Sequence, residues 1–279
     1  MNKIGLIAGA GEYPVVFAQE AVRNGCAVHA VALEGRADPR LERLCASVKY
    51  FKLGQLSAPI KSLREAGVDK AVMAGLVKHG SVFSVLSMDL RAAAFLARLP
   101  DFRAESILGA IVAEFAKDGI EIISSATFLE RLLPKPGVLG KHKPNKQQEK
   151  SIEFGIKIAR KLAEADVGLT TVVCDRLVVA LEALEGTDAC IVRSGELYRA
   201  AVAGKTVSTD KTSGLVVVKA ARPRQDLRYD LPVIGMKTLE SMLKAGSKTL
   251  AIESGKTIII GQQEVLSRAD SEGVSITAF

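Results

Sequence analysis

Residues 3–33, KIGLIAGAGEYPVVFAQEAVRNGCAVHAVAL, predict a strand, a tight turn, a helix and a second strand. KIGLIAG is an apolar strand pattern that runs into the turn Gly9-Ala10-Gly11. The helix begins near Pro14, in the first turn where proline is tolerated, and it stops at Gly25. AVHAVAL follows as another apolar strand. This order of elements is typical of a β-α-β unit in a parallel sheet.

The rest of the first half continues the alternation of strand and helix. It predicts an α/β fold whose N-terminal domain is a Rossmann-like parallel sheet with helices on both faces. The further predicted elements are strands at 48–54, 69–77 and 121–125 and helices at 57–67, 84–100, 105–119 and 127–133.

A stretch rich in proline and lysine, LPKPGVLGKHKPNKQQEK, separates the two halves of the chain. Its composition is typical of a linker. The sequence therefore predicts an N-terminal domain over 1–133, a linker over 134–147 and a C-terminal α/β catalytic domain over 148–279. In the last domain we expect helices at 151–166, 196–204, 236–245 and 262–273, strands at 170–174, 189–193, 215–220, 249–254, 257–261 and 274–279, and a strand or short helix at 177–184.

Composition limits the classes of function. The chain of 279 residues is 48% apolar and 25% charged, which is ordinary for a globular protein. Its net charge of +7 favours an anionic partner, but no basic and aromatic residues interleave as single-strand nucleic-acid binding requires. The four cysteines form no CxxC pair, which disfavours a zinc ribbon. No apolar run reaches the roughly 18 residues of a membrane span, so we expect a cytoplasmic protein.

The segment 219–235, KAARPRQDLRYDLPVIG, lies between an apolar strand and a predicted helix. It combines cations, which hold phosphate, with carboxylates, which hold a metal ion. Asp226 and Asp230 are four residues apart, so both converge on one ion if the segment turns between them. Metal-assisted attack on phosphorus needs this set of groups, although a solvated surface loop has a similar composition.

Three other places are candidate sites. The turn Gly9-Ala10-Gly11 points backbone N–H groups at an anion, and with Glu34 it approaches a dinucleotide fingerprint whose third glycine is Pro14 here. Gly75 follows a strand, where ligands bind in an open parallel sheet. The run 182–188, EALEGTD, gathers carboxylates around a Gly-Thr turn and is suited to Mg²⁺. A tight turn, a loop glycine and a solvated turn are the respective alternatives.

Four motifs together resemble the LpxI family, the UDP-2,3-diacylglucosamine pyrophosphatases of lipid A biosynthesis. They are GLIAGAGEYP at the start, LGK in the linker, EALEGTDA in the second half and K-x₃-P-x-QD-x-R-x-DLP-x-IG near the end. The resemblance covers almost the whole chain. Where the family pattern has Gly-Asn-Val, this chain has Gly75-Leu76-Val77.

The resemblance implies hydrolysis that depends on Mg²⁺ (or Mn²⁺), with water attacking the α-phosphorus to release UMP and 2,3-diacylglucosamine 1-phosphate (lipid X). Asp230, in the DLP segment, is then a metal ligand or the base for the attacking water. Asp188 and Glu185 are further metal ligands, with Glu182 as an additional candidate. The implied substrate contacts are Gly9, Ala10, Gly11, Gly75, Thr187, Lys219, Gln225 and Arg228.

The implied partner is a lipid-linked UDP-sugar and not a nucleic acid. Peripheral contact with the inner membrane fits both the lipid and the basic surface, and a homodimer is left open. Two rival functions also stay open. One is a nucleotide-binding oxidoreductase, which the glycine turn and Glu34 favour. The other is a non-enzymatic nucleotide-sugar binding protein, which the basic charge favours.

Overall fold

The computed structural model describes residues 2–77, 88–101, 103–203, 214–222, 228 and 231–279. These residues fall into two compact units. The first contains Met1–Leu129 together with Arg228, and the second contains Glu130–Gln225 and Leu231–Phe279. Both units combine helices with a β-sheet, which confirms the prediction of two α/β domains.

The first unit is built on a five-stranded parallel sheet. Its strand order is β3-β2-β1-β4-β5, and every neighbouring pair is parallel. The strands are β1 (Lys3–Ala8), β2 (Ala27–Leu33), β3 (Ser47–Phe51), β4 (Lys70–Ala74) and β5 (Glu121–Ile122). The helices described in this unit are α1 (Tyr13–Arg23), α2 (Leu41–Leu44), α3 (Ser57–Glu65), α4 (Leu90–Leu96) and α5 (Ala104–Lys117).

Strand β1 lies at the centre of this sheet, and its apolar residues explain the position. Ile4, Gly5 and Leu6 are buried in succession, as expected for a strand covered on both faces, because successive residues face opposite sides of a sheet. From β1 the chain builds β2 and β3 on one side and β4 and β5 on the other. The reversal between β1 and β4 is a topological switch point, where ligands bind in open α/β sheets.

The second unit contains a six-stranded mixed sheet with the order β6-β13-β11-β9-β7-β8. Neighbours among β9, β11 and β13 are parallel, whereas β7 is antiparallel to β9, β8 to β7 and β6 to β13. These strands are β6 (Gly137–Val138), β7 (Thr170–Cys174), β8 (Leu177–Leu181), β9 (Val216–Lys219), β11 (Thr249–Ile252) and β13 (Ser275–Ala278).

Two short strands form a separate parallel pair, and four helices complete the described part of this unit. The pair is β10 (Val233–Ile234) with β12 (Ile258–Ile259). The helices are α6 (Lys146–Glu164), α7 (Thr187–Ala203), α8 (Met236–Ala245) and α9 (Gln262–Ser271). Helix α6 approaches the sheet closely at Gly155, where a Cβ atom would lie 2.6 Å from Val218 Cγ2.

The prediction of a strand at 189–193 was wrong, because these residues belong to helix α7. The carbonyl of Gly186 accepts a hydrogen bond from Cys190 N–H at 3.1 Å, which opens the helix before the apolar residues begin. Cys190, Ile191, Ser194 and Gly195 are buried, which is the spacing of a helix face. A run of four apolar residues does not by itself distinguish a strand from a buried helix turn.

Two other predicted helices differ from the structure. Residues 127–133 contain a 3₁₀ turn at Glu130–Leu132 rather than a full helix. Of the helix predicted at 84–100, α4 forms Leu90–Leu96, and 84–87 lie outside the described residues. Among the described helices, none has the length and apolar character needed to cross a membrane.

The stretch predicted as a linker contacts the second unit at several points. Gly137–Val138 pairs with β13, and Lys141 N–H donates to Asp270 Oδ1 at 2.7 Å. Asn145 begins α6 with a capping box, in which its side chain accepts from the N–H groups of Gln147 and Gln148. Much of this stretch is therefore built into the second unit.

Candidate functional site

The carboxyl ends of β1 and β4 in the first unit are joined by backbone hydrogen bonds. Gly9 N–H donates to Ala74 O at 2.8 Å. Ala10 and Leu76 form an antiparallel bridge, in which Ala10 N–H donates to Leu76 O at 3.0 Å and Leu76 N–H donates to Ala10 O at 2.9 Å. The N–H groups of Gly9 and Ala10, which the sequence predicts to face an anion, therefore donate to the last residue of β4 and to Leu76 just after it.

Glycine is favoured at positions 9, 11 and 75 for different structural reasons. A Cβ atom on Gly75, which has φ +96°, would lie 2.8 Å from Ala10 O and 2.9 Å from Pro14 Cγ. A Cβ on Gly9 would lie 3.0 Å from the carbonyl carbon of Gly75. Gly11 has φ +92° but would meet nothing within 4 Å. Packing therefore requires Gly9 and Gly75, and backbone conformation favours Gly11. Their ligand contacts stay predictions.

A buried lysine forms the centre of the candidate site in the second unit. Lys219 ends β9 with only 6% of its surface exposed, and its Nζ donates to Thr187 Oγ1 at 2.6 Å. Thr187 begins α7 and donates its hydroxyl proton to Glu182 Oε1 at 3.0 Å. Thr170 Oγ1 donates to Thr187 Oγ1 at 3.3 Å. Thr187 and Lys219, both predicted as substrate contacts, are thus in direct contact.

Burial is the largest influence on the pKa of Lys219, which lies below its ordinary value. Burial lowers the pKa of Lys219, whereas the nearby carboxylates of Glu182 and Asp188 raise it. A buried ammonium is costly unless paired charges and hydrogen bonds compensate it. Lys219 therefore places an amine whose pKa is lowered at the N-terminus of α7, where the backbone also carries partial positive charge.

Asp188 connects the first turns of two helices. Its Oδ1 accepts from Thr238 Oγ1 at 3.3 Å, and its Oδ2 pairs with Lys237 Nζ at 3.1 Å. Both partners belong to the first turn of α8. The N-termini of α7 and α8 therefore converge close to Lys219. Helix N-termini and ammonium groups are the groups that proteins use to hold phosphate.

Glu185, the other predicted metal ligand that the structure describes, does not join this cluster. Glu185 pairs with Arg193 Nη2 at 2.5 Å, and that hydrogen bond holds the pKa of the carboxyl below its usual range. No group of three His, Cys, Asp or Glu side chains suited to a metal exists among the residues that the structure describes. Asp230 and Gln225 lie outside those residues, and Arg228 is exposed. The described carboxylates therefore do not by themselves form a site for a divalent cation.

Two carboxylates that the sequence reasoning missed hold the chain just before the 223–230 segment. Glu253, buried after β11, accepts from Ala221 N–H at 2.9 Å and from Lys256 Nζ at 2.9 Å. Asp166 pairs with Arg222 Nη2 at 2.6 Å. The position of Glu253 directly after an apolar strand was the available signal, because carboxyl ends of parallel strands share one edge.

Comparison with known proteins gives a consistent result over both units. The model of the LpxI N-terminal domain matches residues 3–132, and that of the LpxI C-terminal domain matches residues 135–277. This chain belongs to the LpxI family. A relative from Caulobacter vibrioides, named UDP-2,3-diacylglucosamine pyrophosphatase LpxI, is 33% identical over 282 aligned residues. The alignment covers 99% of this chain and 97% of the LpxI relative.

Proposed function

We propose that this chain is a UDP-2,3-diacylglucosamine pyrophosphatase of lipid A biosynthesis. Family membership over both units and the name of the Caulobacter vibrioides relative support the substrate. The observation that carries the proposal is the contact of buried Lys219 with Thr187, the first residue of α7. A cation at a helix N-terminus suits the diphosphate of a UDP-sugar.

In the proposed reaction, water attacks the α-phosphorus, the one nearer uridine. A new oxygen–phosphorus bond forms there, and the bond from that phosphorus to the bridging oxygen breaks. The products are UMP and 2,3-diacylglucosamine 1-phosphate, and the bridging oxygen leaves with the lipid. Both products carry negative charge that the transition state already develops.

Lys219 and the first turn of α7 would offset this developing charge. The Lys219 ammonium has three N–H groups, and one of them donates to Thr187. We propose that the others reach the diphosphate oxygens when substrate binds. Because the side chain is buried, its electrostatic effect is screened by water less than that of an exposed lysine.

The metal requirement is a proposal without an assigned step. A divalent cation would neutralise diphosphate charge, and Asp188 is the predicted ligand that lies next to the α7 N-terminus. Its two oxygens are held by Thr238 and Lys237, so a cation would have to replace Lys237 as partner. Asp230 is proposed as ligand or base from the family resemblance alone.

Hydrolysis of UDP-2,3-diacylglucosamine in ¹⁸O-labelled water tests the proposal, first with Mg²⁺ and then with EDTA. Label in UMP is expected, together with loss of turnover in EDTA. Label in the lipid phosphate would keep the substrate and move the attack to the β-phosphorus. Turnover that persists in EDTA would refute the proposed metal requirement. An absence of turnover at every metal concentration would refute the proposed function.

One rival function is tested by the same protein. A nicotinamide oxidoreductase would use the turn at 9–11, yet Gly9 and Ala10 donate their N–H groups to Ala74 and Leu76 at the end of β4. Titration with NADH or NADPH, followed by the fluorescence of the reduced nicotinamide, is expected to show no saturable binding. A non-enzymatic UDP-sugar binder would bind substrate without releasing UMP.

We also propose a cytoplasmic location with peripheral contact at the inner membrane, since the proposed substrate is a lipid and the chain has a net charge of +7. Co-sedimentation with anionic vesicles is expected to exceed that with neutral vesicles at low salt. Equal co-sedimentation with both would count against membrane contact. Formation of a homodimer stays a prediction, to be measured by sedimentation velocity.

A further inference from the structure

We propose that Glu182 is a positioning residue that holds the Lys219 ammonium in place through the hydroxyl of Thr187. The proposal assigns Glu182 to hydrogen bonding rather than to a metal. Its catalytic consequence rests on the proposed function, in which Lys219 meets the diphosphate. Its structural part concerns side chains of the second unit only and does not depend on that function.

Both carboxylate oxygens of Glu182 are used within the protein. Oε1 accepts the Thr187 hydroxyl proton at 3.0 Å, and Oε2 accepts Leu169 N–H at 3.2 Å. The backbone N–H of Glu182 donates to Thr170 O at 2.9 Å. Contacts of the backbone and of both side-chain oxygens fix this carboxylate in one orientation.

That orientation determines how Thr187 faces the lysine. A hydroxyl has one proton and two lone pairs, and the proton of Thr187 goes to Glu182. Its lone pairs are therefore left for the two donors, Lys219 Nζ at 2.6 Å and Thr170 Oγ1 at 3.3 Å. If Glu182 no longer accepted the proton, Thr187 would be free to rotate, and the ammonium would lose its fixed acceptor.

Charge acts in the same direction as geometry. Among the residues that the structure describes, the charged or titratable groups that act on Lys219 are Glu182 and, on α7, Asp188 and Cys190, and all three favour its protonated form against the effect of burial. Glu182 has the largest effect of the three. Asp188 is also bound by Lys237 on α8, whereas Glu182 reaches Lys219 through one hydroxyl.

The backbone around Glu182 is shaped to admit it. A Cβ atom on Gly168 would lie 2.3 Å from Glu182 O and 3.0 Å from Glu182 Cβ. The first of these contacts is with backbone, so a side chain at 168 would displace Glu182 rather than merely bend a flexible group. Gly168→Ala is therefore a second way to disturb the carboxylate without changing its charge.

A double-mutant cycle on kcat/KM tests the assignment, with Glu182→Gln and Lys219→Met as the single variants. A glutamine keeps one acceptor but presents an NH₂ group to either Leu169 N–H or Thr187, so one contact is lost. Glu182→Gln is expected to lower kcat/KM by about 10- to 100-fold, as for loss of a charged hydrogen bond. In the Lys219→Met background the same change is expected to cost less than about threefold.

Equal costs in the two backgrounds would overturn the proposal, because Glu182 would then act independently of Lys219. If Lys219→Met falls below detection, the cycle is closed with Thr187→Val instead. Gly168→Ala is expected to reproduce the loss seen with Glu182→Gln. Glu196→Gln, at an exposed position of α7, is the matched control and is expected to leave kcat/KM unchanged.

A measurement without substrate separates this inference from the proposed function. NMR of Lys219, labelled at Nζ or Cε, is expected to show that the pKa of its ammonium falls further in Glu182→Gln and not in Glu196→Gln. An unchanged Lys219 pKa in Glu182→Gln would refute the inference even if the enzyme is active. A lowered pKa in a protein that does not hydrolyse UDP-2,3-diacylglucosamine would refute the proposed function alone.

Discussion

Replacement of Gly75 by alanine distinguishes a glycine required by packing from a glycine that makes room for a ligand. Gly75→Ala and Gly11→Ala form a matched pair, since the two residues have φ values of +96° and +92°. A Cβ on Gly75 would press on Ala10 O, the carbonyl carbon of Gly9 and Pro14 Cγ, all within 2.9 Å. A Cβ on Gly11 would meet nothing within 4 Å.

The expected magnitudes follow from these distances. An alanine at either position costs about 1–2 kcal/mol for its left-handed backbone, offset by about 0.4–1 kcal/mol through the unfolded chain. Gly75→Ala adds an overpacking cost of about 1–3 kcal/mol, because two of the three atoms it approaches belong to the backbone. The difference between the two variants is therefore expected to be about 1–3 kcal/mol.

Native-state hydrogen exchange of peptides that contain β1 and β4 is the suitable assay, because a chain of two units need not unfold in one step. Exchange in Gly75→Ala is expected to be about 5- to 150-fold faster than in Gly11→Ala. Equal exchange in the two variants would refute the packing argument. If Gly75→Ala also lost activity at unchanged stability, ligand contact would be the reason for the glycine.

Two further predictions concern stability. Tyr13 donates its hydroxyl to Ser125 O at 2.7 Å, and burial raises the pKa of Tyr13 to about 12. Because the pKa in the unfolded chain is about 10, the neutral Tyr13 contributes its full share of the free energy of unfolding below about pH 10. That contribution is lost as the pH rises from about 10 to 12. Urea unfolding between pH 8 and 11 is expected to show less alkaline loss in Tyr13→Phe, and parallel curves would contradict this. Asn145→Ala is expected to destabilise the chain by about 0.5–2 kcal/mol through loss of the α6 capping box, measured as a lower Tm of the second unit. An unchanged Tm would show that α6 does not depend on its cap.

Local signals in the sequence were sufficient for much of the first unit. The helix predicted between Pro14 and Gly25 is α1, Tyr13–Arg23, and the strand pattern on either side gives β1 and β2. These elements carry their own start and stop signals, which act over a few residues. The α/β class follows from their alternation, since consecutive parallel strands need a crossover.

Non-local contacts account for what the sequence did not predict. The bridge between Ala10 and Leu76 joins residues that are 66 positions apart in the chain, and the local sequence of neither loop predicts it. The same is true of Gly137–Val138, which looks like part of a linker but pairs with β13 at the other end of the domain. Packing on distant residues determines such elements more than propensity does.

The candidate site shows the same limit in another form. Thr187 and Lys219 were both predicted as substrate contacts, and Lys219 Nζ lies 2.6 Å from Thr187 Oγ1. Their residue types could be taken from motifs, but their mutual contact depends on where α7 begins. Because a strand was predicted at 189–193, the helix was predicted to start too late, and the position of Thr187 at the N-terminus of α7 was missed.

The topology of the second sheet explains why Glu182 and Lys219 lie near the same threonine, Thr187. Strand β7 is antiparallel to β9, and β8 is antiparallel to β7, so β8 and β9 run in the same direction. The carboxyl ends of β8 and β9 therefore lie at the same edge of the sheet. Glu182 directly follows β8, and Lys219 is the last residue of β9. Thr170, at the start of β7, stands between them and pairs with Lys219. The hairpin of β7 and β8 thus brings the Glu182 carboxylate to the edge where the carboxyl ends of parallel strands bind ligands. Glu182 can therefore hold Lys219 through Thr187 in the protein without substrate.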